Sequence, residues 1–444
     1  MYNFYKALFF TNRFFIILIG LGLVSLPFFL FNISEIILLL LIGSLAIFTL
    51  MDYWILFGSN RTILAERKIS EVLSNGDLNP VEIHIQNQYS FPIHFLILDE
   101  IPFQLQIRDY EFEGKIEKGK EINHSYRLRP TKRGEYSFGA LNLYIQSPIG
   151  LLERKFVFQE NQLVPCYPSI IQMRKYAFMV VSRYASQFGT KKIRKLGHSQ
   201  EFEQIKEYNL GDDIRTVNWK ATARKGDLMV NHYTDEKAQP ILMAIDKGRA
   251  MRMSFNGLSL LDFSINSVLA LSNIALLKKD KVGLLTFSDR SGTFIPPNNS
   301  STQLRNLLAG LYQQKSSWGE SSYEYLYSSI RSEIKQRTLI ILFSEFDSIQ
   351  ALHFHLPYLK SLQKFHLVLV VFFQDIELEE VFEEPVESLK DIYRKTISGK
   401  FKLEKQLIAK ELNKHGILSL LTSPHNLSVN LINKYFEIKA LGKI

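Results

Sequence analysis

"ILMAID", residues 241–246, sets five apolar side chains in a row and ends on a carboxylate. A strand apolar on both faces is buried on both faces, which marks a parallel sheet covered by helices rather than a sheet with one wet side. Downstream, "KVGLLTFS" (281–288), "RTLIILFS" (337–344), "FHLVLVVFF" (365–373) and "GILSLL" (416–421) repeat the pattern. Between them, "LSLLDFSINSVLALSNIALLKK" (258–279) and "LSVNLINKYFEIKAL" (427–441) carry apolar residues at helical spacing. This alternation predicts an α/β domain with a mostly parallel sheet over 239–444. Ligands of such sheets sit at the carboxyl ends of the strands. Here those ends carry Asp246, Ser288 with Asp289, and Ser344 with Glu345.

Immediately upstream lies the densest knot of charge and aromatic surface, "GDDIRTVNWKATAR" (211–224). Asp212 after Gly211 reads as a helix N-cap, and Asp213 suits the positive end of the helix dipole. The expected helix runs over 213–224 and stops at Gly226. It would put Ile214, Val217 and Ala221 on one face, with Arg215 and Trp219 four apart and able to stack. "DLMVNHYTDE" (227–236) reads as a strand. Two roles stay open. One is an internal clamp, with Asp213 or Glu207 pairing Arg215 or Arg224. The other is a surface that grips a partner, since Trp and Arg are favoured interface anchors. Enzymatic readings fail on the letters. Residues 197–201 lack the second glycine of a nucleophile elbow, Lys191 is not in a phosphate-binding loop, and no His-Glu-x-x-His occurs.

The segment before it, 173–199, has seven basic residues and no Asp or Glu. Lys191, Lys192, Arg194 and Lys195 suit contact with an anionic surface such as lipid; the plainer reading is a solvated helix face and loop, and nucleic acid is the least favoured. Residues 61–168 switch to short alternating runs with turn punctuation. "SNGD" (74–77) carries a hairpin-type Asn-Gly pair, "PVEIHIQN" (80–87) alternates strictly, and "GEYSFGALNLYIQ" (134–146) alternates again. Strands this short read as a β-sandwich of roughly 100 residues, immunoglobulin-like.

At the amino terminus, two uncharged or nearly uncharged runs, 14–31 and 36–57, flank a short connector, and Asp52 is the only charge within them. A membrane helix needs roughly 20 apolar residues, so residues 1–60 are expected to form a transmembrane hairpin. Lys6, Arg13, Arg61, Arg67 and Lys68 flank it while the connector carries Glu35, which predicts both ends in the cytoplasm. A second run of this length argues against a cleaved signal peptide. The bulk numbers agree with a folded, multidomain chain: 444 residues, 46% hydrophobic, 22% charged, net charge +9. A single cysteine, Cys166, excludes an intramolecular disulfide and a multi-cysteine zinc site. The expected domains are 1–60, 61–168, a basic and motif-bearing linker at 169–238, and 239–444.

"AIDKGRAM" (244–251), "VGLLTFSD" (282–289) and "LIILFSEFD" (339–347) resemble the von Willebrand factor A fold. That resemblance implies a magnesium loop of Asp-x-Ser-x-Ser, a Thr and a later Asp. Asp246 matches the first carboxylate, but Gly248 and Ala250 stand in the hydroxyl places. Glu345 stands for the last carboxylate, and Ser321 or Ser322 for the Thr. The favoured expectation is a metal-free, protein-binding variant; the alternative is a magnesium-dependent ligand-binding protein or enzyme built on Asp246 and Glu345. The wider constellation Glu201-Phe202, Glu207-Tyr208, Gly211-Asp212-Asp213-Ile214-Arg215, Trp219, Ala221-Thr222-Ala223-Arg224 and Leu228 resembles the domain of unknown function fifty-eight family (DUF58). Lys206 departs from its pattern, where arginine is expected. The resemblance implies no settled biochemical activity. It implies a non-enzymatic adaptor in the bacterial inner (cytoplasmic) membrane, with soluble domains in the cytoplasm and no cofactor. Its implied partners are MoxR-type AAA ATPases and other membrane-anchored von Willebrand A proteins.

Overall fold

A computed structural model describes residues 7–30, 35–58, 63–108, 110–188, 201–209, 214–234, 239–289, 292–374 and 388–442. The chain divides into two compact units, Met1–Tyr167 and Pro168–Ile444.

The first unit begins with β1 (Leu8–Phe10), α1 (Asn12–Leu30) and α2 (Glu35–Phe57). Ten strands follow: β2 (Ile63–Ile69), β3 (Leu73–Ser74), β4 (Asn79–Asn87), β5 (Ile93–Asp99), β6 (Tyr110–Ile116), β7 (Glu121–Leu128), β8 (Gly134–Phe138), β9 (Leu141–Gln146), β10 (Leu152–Phe158) and β11 (Gln162–Tyr167). They form a five-stranded sheet β1-β10-β9-β5-β6 and two three-stranded sheets, β2-β4-β7 and β3-β11-β8. The alternation expected for β4 is present, with Val81, Ile83 and Ile85 buried. Two expectations change. Asn75-Gly76 turns the chain, Gly76 at φ 81°, but β3 and β4 pair with other strands rather than with each other. Residues 134–146 are two strands in different sheets, broken at Gly139-Ala140 where the chain crosses from β8 to β9.

The apolar helices are built into this β-rich unit. Asp52, one charge in an apolar helix, is fully buried. Its carboxylate accepts the Ser147 hydroxyl and the backbone N–H groups of Leu151 and Leu152, the latter two at 2.8 Å. Thr11 donates to Gly150 O at 2.8 Å, and Arg154 donates to Leu56 O at 2.7 Å while its guanidinium lies over Phe57 and Phe156. Beyond these contacts the helices expose their apolar side chains, among them Ile16, Leu39 and Trp54. Among the described residues, two helices are long and apolar enough to cross a membrane by length and composition, Ile36–Phe57 and Leu260–Leu277. Only 6% of the first is buried against 78% of the second, which makes the second a core helix.

The second unit starts with α3 (Ile170–Phe188), then β12 (Glu201–Glu207), α4 (Trp219–Lys225) and β13 (Met229–Thr234). Next come β14 (Pro240–Asp246), the short pair β15 (Ser254–Phe255) and β16 (Leu258–Ser259), α5 (Leu260–Leu277), β17 (Lys281–Phe287), β18 (Phe294–Asn298), α6 (Gln303–Tyr312) and α7 (Tyr323–Glu333). Then follow β19 (Leu339–Phe343), α8 (Ile349–Gln363), β20 (Leu367–Phe373), α9 (Leu389–Lys414), β21 (Leu418–Thr422) and α10 (Leu427–Ala440). The central sheet has the order β18-β17-β14-β19-β20-β21. The five apolar strands are parallel, while β18 joins the edge antiparallel and makes the sheet mixed. β18 carries Pro296 and Pro297, which an edge strand tolerates because it needs fewer N–H donors.

Period-two alternation divides the core. Ile241, Met243 and Ile245 of β14 pack with α5, α6 and α10, and Leu242 and Ala244 pack with α7, α8 and α9. α5 begins with a capping box, Ser259 and Asp262 bonding each other's backbone N–H. After β14 the chain builds outward to β17 and β18, then returns to the other side of β14 for β19, β20 and β21. That reversal opens a crevice at the carboxyl ends of β14 and β19, where such sheets hold ligands.

Candidate functional site at the carboxyl ends of β14 and β19

Asp246 closes β14 on the face shared by Leu242 and Ala244, and only 4% of it is exposed. Its Oδ1 accepts the Gly248 N–H at 2.7 Å and the Ser321 hydroxyl; its Oδ2 accepts the Ser344 hydroxyl at 2.6 Å. Ser344 in turn lies 2.7 Å from the Tyr323 hydroxyl. Burial pushes the Asp246 carboxyl above its ordinary value, against the three donors that favour its charged form. Burial, with the Asp246 charge second, raises the Tyr323 hydroxyl well above its ordinary value. Tyr323 stacks on His355 at 4.0 Å between ring centres, and burial lowers the His355 imidazole.

Of the two serines weighed for this place, Ser321 is the one at the carboxylate. Ser322 caps α7, accepting the Tyr325 N–H at 3.1 Å. Gly248 has a steric reason to be glycine, because a Cβ there would run into Ser321 Oγ. Glu345 lines the same cavity as Asp246 but has partners of its own. It forms an ion pair with Lys405 of α9 and accepts the Phe373 N–H at 2.9 Å. For magnesium, Asp246, Ser321 and Ser344 supply oxygens of the right hardness. An ion there would have to turn two hydroxyl hydrogens off Asp246 and would find Glu345 already committed. Among the described residues no three His, Cys, Asp or Glu side chains gather as a metal site. A cavity of about 410 Å³ opens over Asp246, flanked by Arg249, Phe354 and His355.

The motif-bearing segment folds as strand, helix, strand. β12 and β13 pair antiparallel, with Glu207 opposite Met229. The sequence reading missed β12: its apolar residues Phe202 and Ile205 are three apart and show no period-two alternation, and the pairing shifts register between Phe202 and Gln204. The helix expected from residue 213 begins at Trp219 instead, after a single 3-10 turn at Ile214–Thr216. Its N-cap is therefore Asn218 and not Asp212; Asn218 accepts the Ala221 N–H at 3.1 Å. Gly226 ends it in the left-handed region, φ 86°, as expected. Ile214, Val217 and Ala221 do not form one helical face, because Ile214 and Val217 precede the helix.

Glu207 pairs with Lys225, at 2.6 Å; the side chain of Arg215 lies outside the described residues. The hydrogen bond and charge of Lys225 lower the Glu207 carboxyl, and those of Glu207 raise the Lys225 ammonium. Both side chains stand in solvent, so this pair contributes little to stability. Tyr208 ties the two strands together through its N–H to Leu228 O at 2.8 Å. Trp219 is 71% exposed and Ile214 70%, with Arg224 exposed nearby in sequence. Gly211, Asp212 and Asp213 lie outside the described residues, as do Lys191, Lys192, Arg194 and Lys195; the side chains of Glu201, Phe202 and Arg215 do too.

Residues 204–384 match the family model described as "Protein of unknown function DUF58". The matched region takes in the exposed helix and the strands through β20, so it contains both Trp219 and Asp246. The "Uncharacterized protein YeaD" of Bacillus subtilis (strain 168) is 22% identical over 197 residues, 42% of this chain and 48% of its own length. The chain thus spans about half the length of the curated relative it matches. Among solved structures, the CARDB domain of the PF1109 protein from Pyrococcus furiosus is similar over 24% of this chain and 88% of its own, at 14% identity and a TM-score of 0.18. Proximal thread matrix protein 1 from the mussel byssus is similar over 46% of each chain, at 10% identity and a TM-score of 0.26.

Proposed function

We propose that this protein is a membrane-anchored, non-enzymatic adaptor that docks a partner protein on the face carrying Trp219. The observation that carries this reading is the exposure of Trp219 at the start of a short, well-capped helix, with Ile214 exposed in the 3-10 turn before it. A large aromatic side chain held in water by a rigid support costs hydration free energy and suits a binding anchor. An internal clamp would bury Trp219 and Ile214, and the Glu207–Lys225 pair described in this segment stands in solvent. The α/β unit is read as von Willebrand A-like, with Asp246 serving hydrogen bonds at the switch point rather than catalysis.

The hairpin of α1 and α2 is the proposed anchor in the bacterial inner membrane, supported by the apolar side chains that both helices expose. The cations flanking it favour a cytoplasmic placement of both units. The proposed partner class, by family resemblance, is a MoxR-type AAA ATPase, working with other membrane-anchored von Willebrand A proteins.

The test is capture of a purified MoxR-type ATPase from the same cell by the full chain in lipid nanodiscs, comparing wild type with Trp219→Ala. Binding by wild type and at least about tenfold weaker binding by the variant, with an unchanged melt, supports the reading. No capture by wild type removes the ATPase, and equal capture by both moves the docking face elsewhere.

A further inference from the structure

A second, larger cavity of about 600 Å³ lies beside α9, near the ends of β20 and β21. It shares Glu345 and Asp347 with the Asp246 cavity, and its other lining residues are its own. Its walls are Phe255, Leu260, Phe373, Phe401 and Leu421, and its volume is in the range of small-molecule sites, about 300–1,000 Å³. At one wall Lys405 pairs with Glu345, both side chains largely buried. We propose that this cavity is a binding site for a small, uncharged, mostly apolar molecule that carries one hydrogen-bond acceptor.

Charge decides the class of guest. The four ionisable residues in the lining are Glu345, Asp347, Lys402 and Lys405, two of each sign. An anion held by Lys405 would be set against Glu345, and a cation held by Glu345 would be set against Lys405. In a site of low polarity either guest leaves a charge uncompensated. An uncharged guest leaves the pair intact. The ammonium of Lys405 has three hydrogens. One faces Glu345 and one is donated to Phe346 O at 2.8 Å, so among the described residues one is left for a guest. The rest of the lining is mostly apolar, with Ser254, Gln374, Ser398 and Gln406 interspersed, and rewards apolar area. A ring system or short chain with a single carbonyl, ether or ester oxygen satisfies all three conditions.

Benzophenone is a suitable probe: it is uncharged, it has two apolar rings and one carbonyl, and light makes that carbonyl insert into neighbouring C–H bonds. The full chain in nanodiscs would be irradiated with benzophenone and the labelled peptides mapped by mass spectrometry. Labelling concentrated on peptides containing Met253 or Phe401 is expected, both of which line the cavity. Leu421→Trp fills the space and should remove that labelling. Replacing the ion pair together, Glu345→Gln with Lys405→Met, strands no charge and should weaken it about tenfold. Melts of both variants establish that they fold. Labelling spread over the surface, or unchanged in a folded Leu421→Trp protein, overturns the proposal. So does stronger labelling by the anionic 4-benzoylbenzoate than by benzophenone.

Discussion

Asp246 is a buried carboxylate whose oxygens are all spoken for, and its titration is measurable. Burial raises its value above that of the unfolded chain, so the folded state holds the proton more tightly. The stability linked to this group is therefore complete below the ordinary carboxylate value, about 3.9, and is lost as pH rises through the raised one. Asp246→Asn keeps an acceptor for Gly248 and Ser321 and offers Ser344 a donor in place of an acceptor, a role the hydroxyl meets by rotating. The variant is expected to melt about 3 °C above wild type at pH 8 and level with it near pH 4. A melt series over that range checks it; a variant less stable at every pH would mean that the charge itself holds the crevice together.

The helix α4 shows what one cap contributes. Asn218 accepts the Ala221 N–H and donates to Asn231 Oδ1 at 2.8 Å, linking the helix start to β13. Asn218→Ala should lower the local stability of this strand-helix-strand element by about 1 kcal/mol. Hydrogen exchange of the Thr222 to Lys225 amides reads that loss directly. Trp219→Ala, one residue on, should leave the same amides unchanged, since the side chain is in solvent. Slowed protection in both variants, or loss in both, would return this segment to a structural role.

For the whole molecule, the anchor reading makes a topological prediction. Cys166 is buried and is the chain's one thiol, so a Cys166→Ser background is clean for labelling. A cysteine introduced at Asn32 in the hairpin connector should react with a membrane-impermeant maleimide in intact spheroplasts. One introduced at Ser300, an exposed position of the second unit, should react only after permeabilisation. The reverse pattern would invert the proposed orientation, and labelling of both in intact spheroplasts would remove the hairpin from the membrane.

The five apolar strands, the core helices and the two apolar helices at the start were all legible in the letters, because period and apolar run length follow directly from burial on one face or two. Local stop signals such as Gly226 were legible for the same reason: the left-handed turn is a property of the residue itself. What depended on distant partners was not. Asp52 reads as a stray charge in an apolar run until Ser147, Leu151 and Leu152 come to it from nearly a hundred residues away. Glu345 reads only as the weaker candidate for a metal carboxylate, and its pairing with Lys405 of α9 shows only in the fold. The choice between Ser321 and Ser322, the exposure of Trp219 and the cavity beside α9 were settled likewise by packing. A sequence records what each residue prefers nearby; which buried charge meets which donor is decided only when the chain closes on itself.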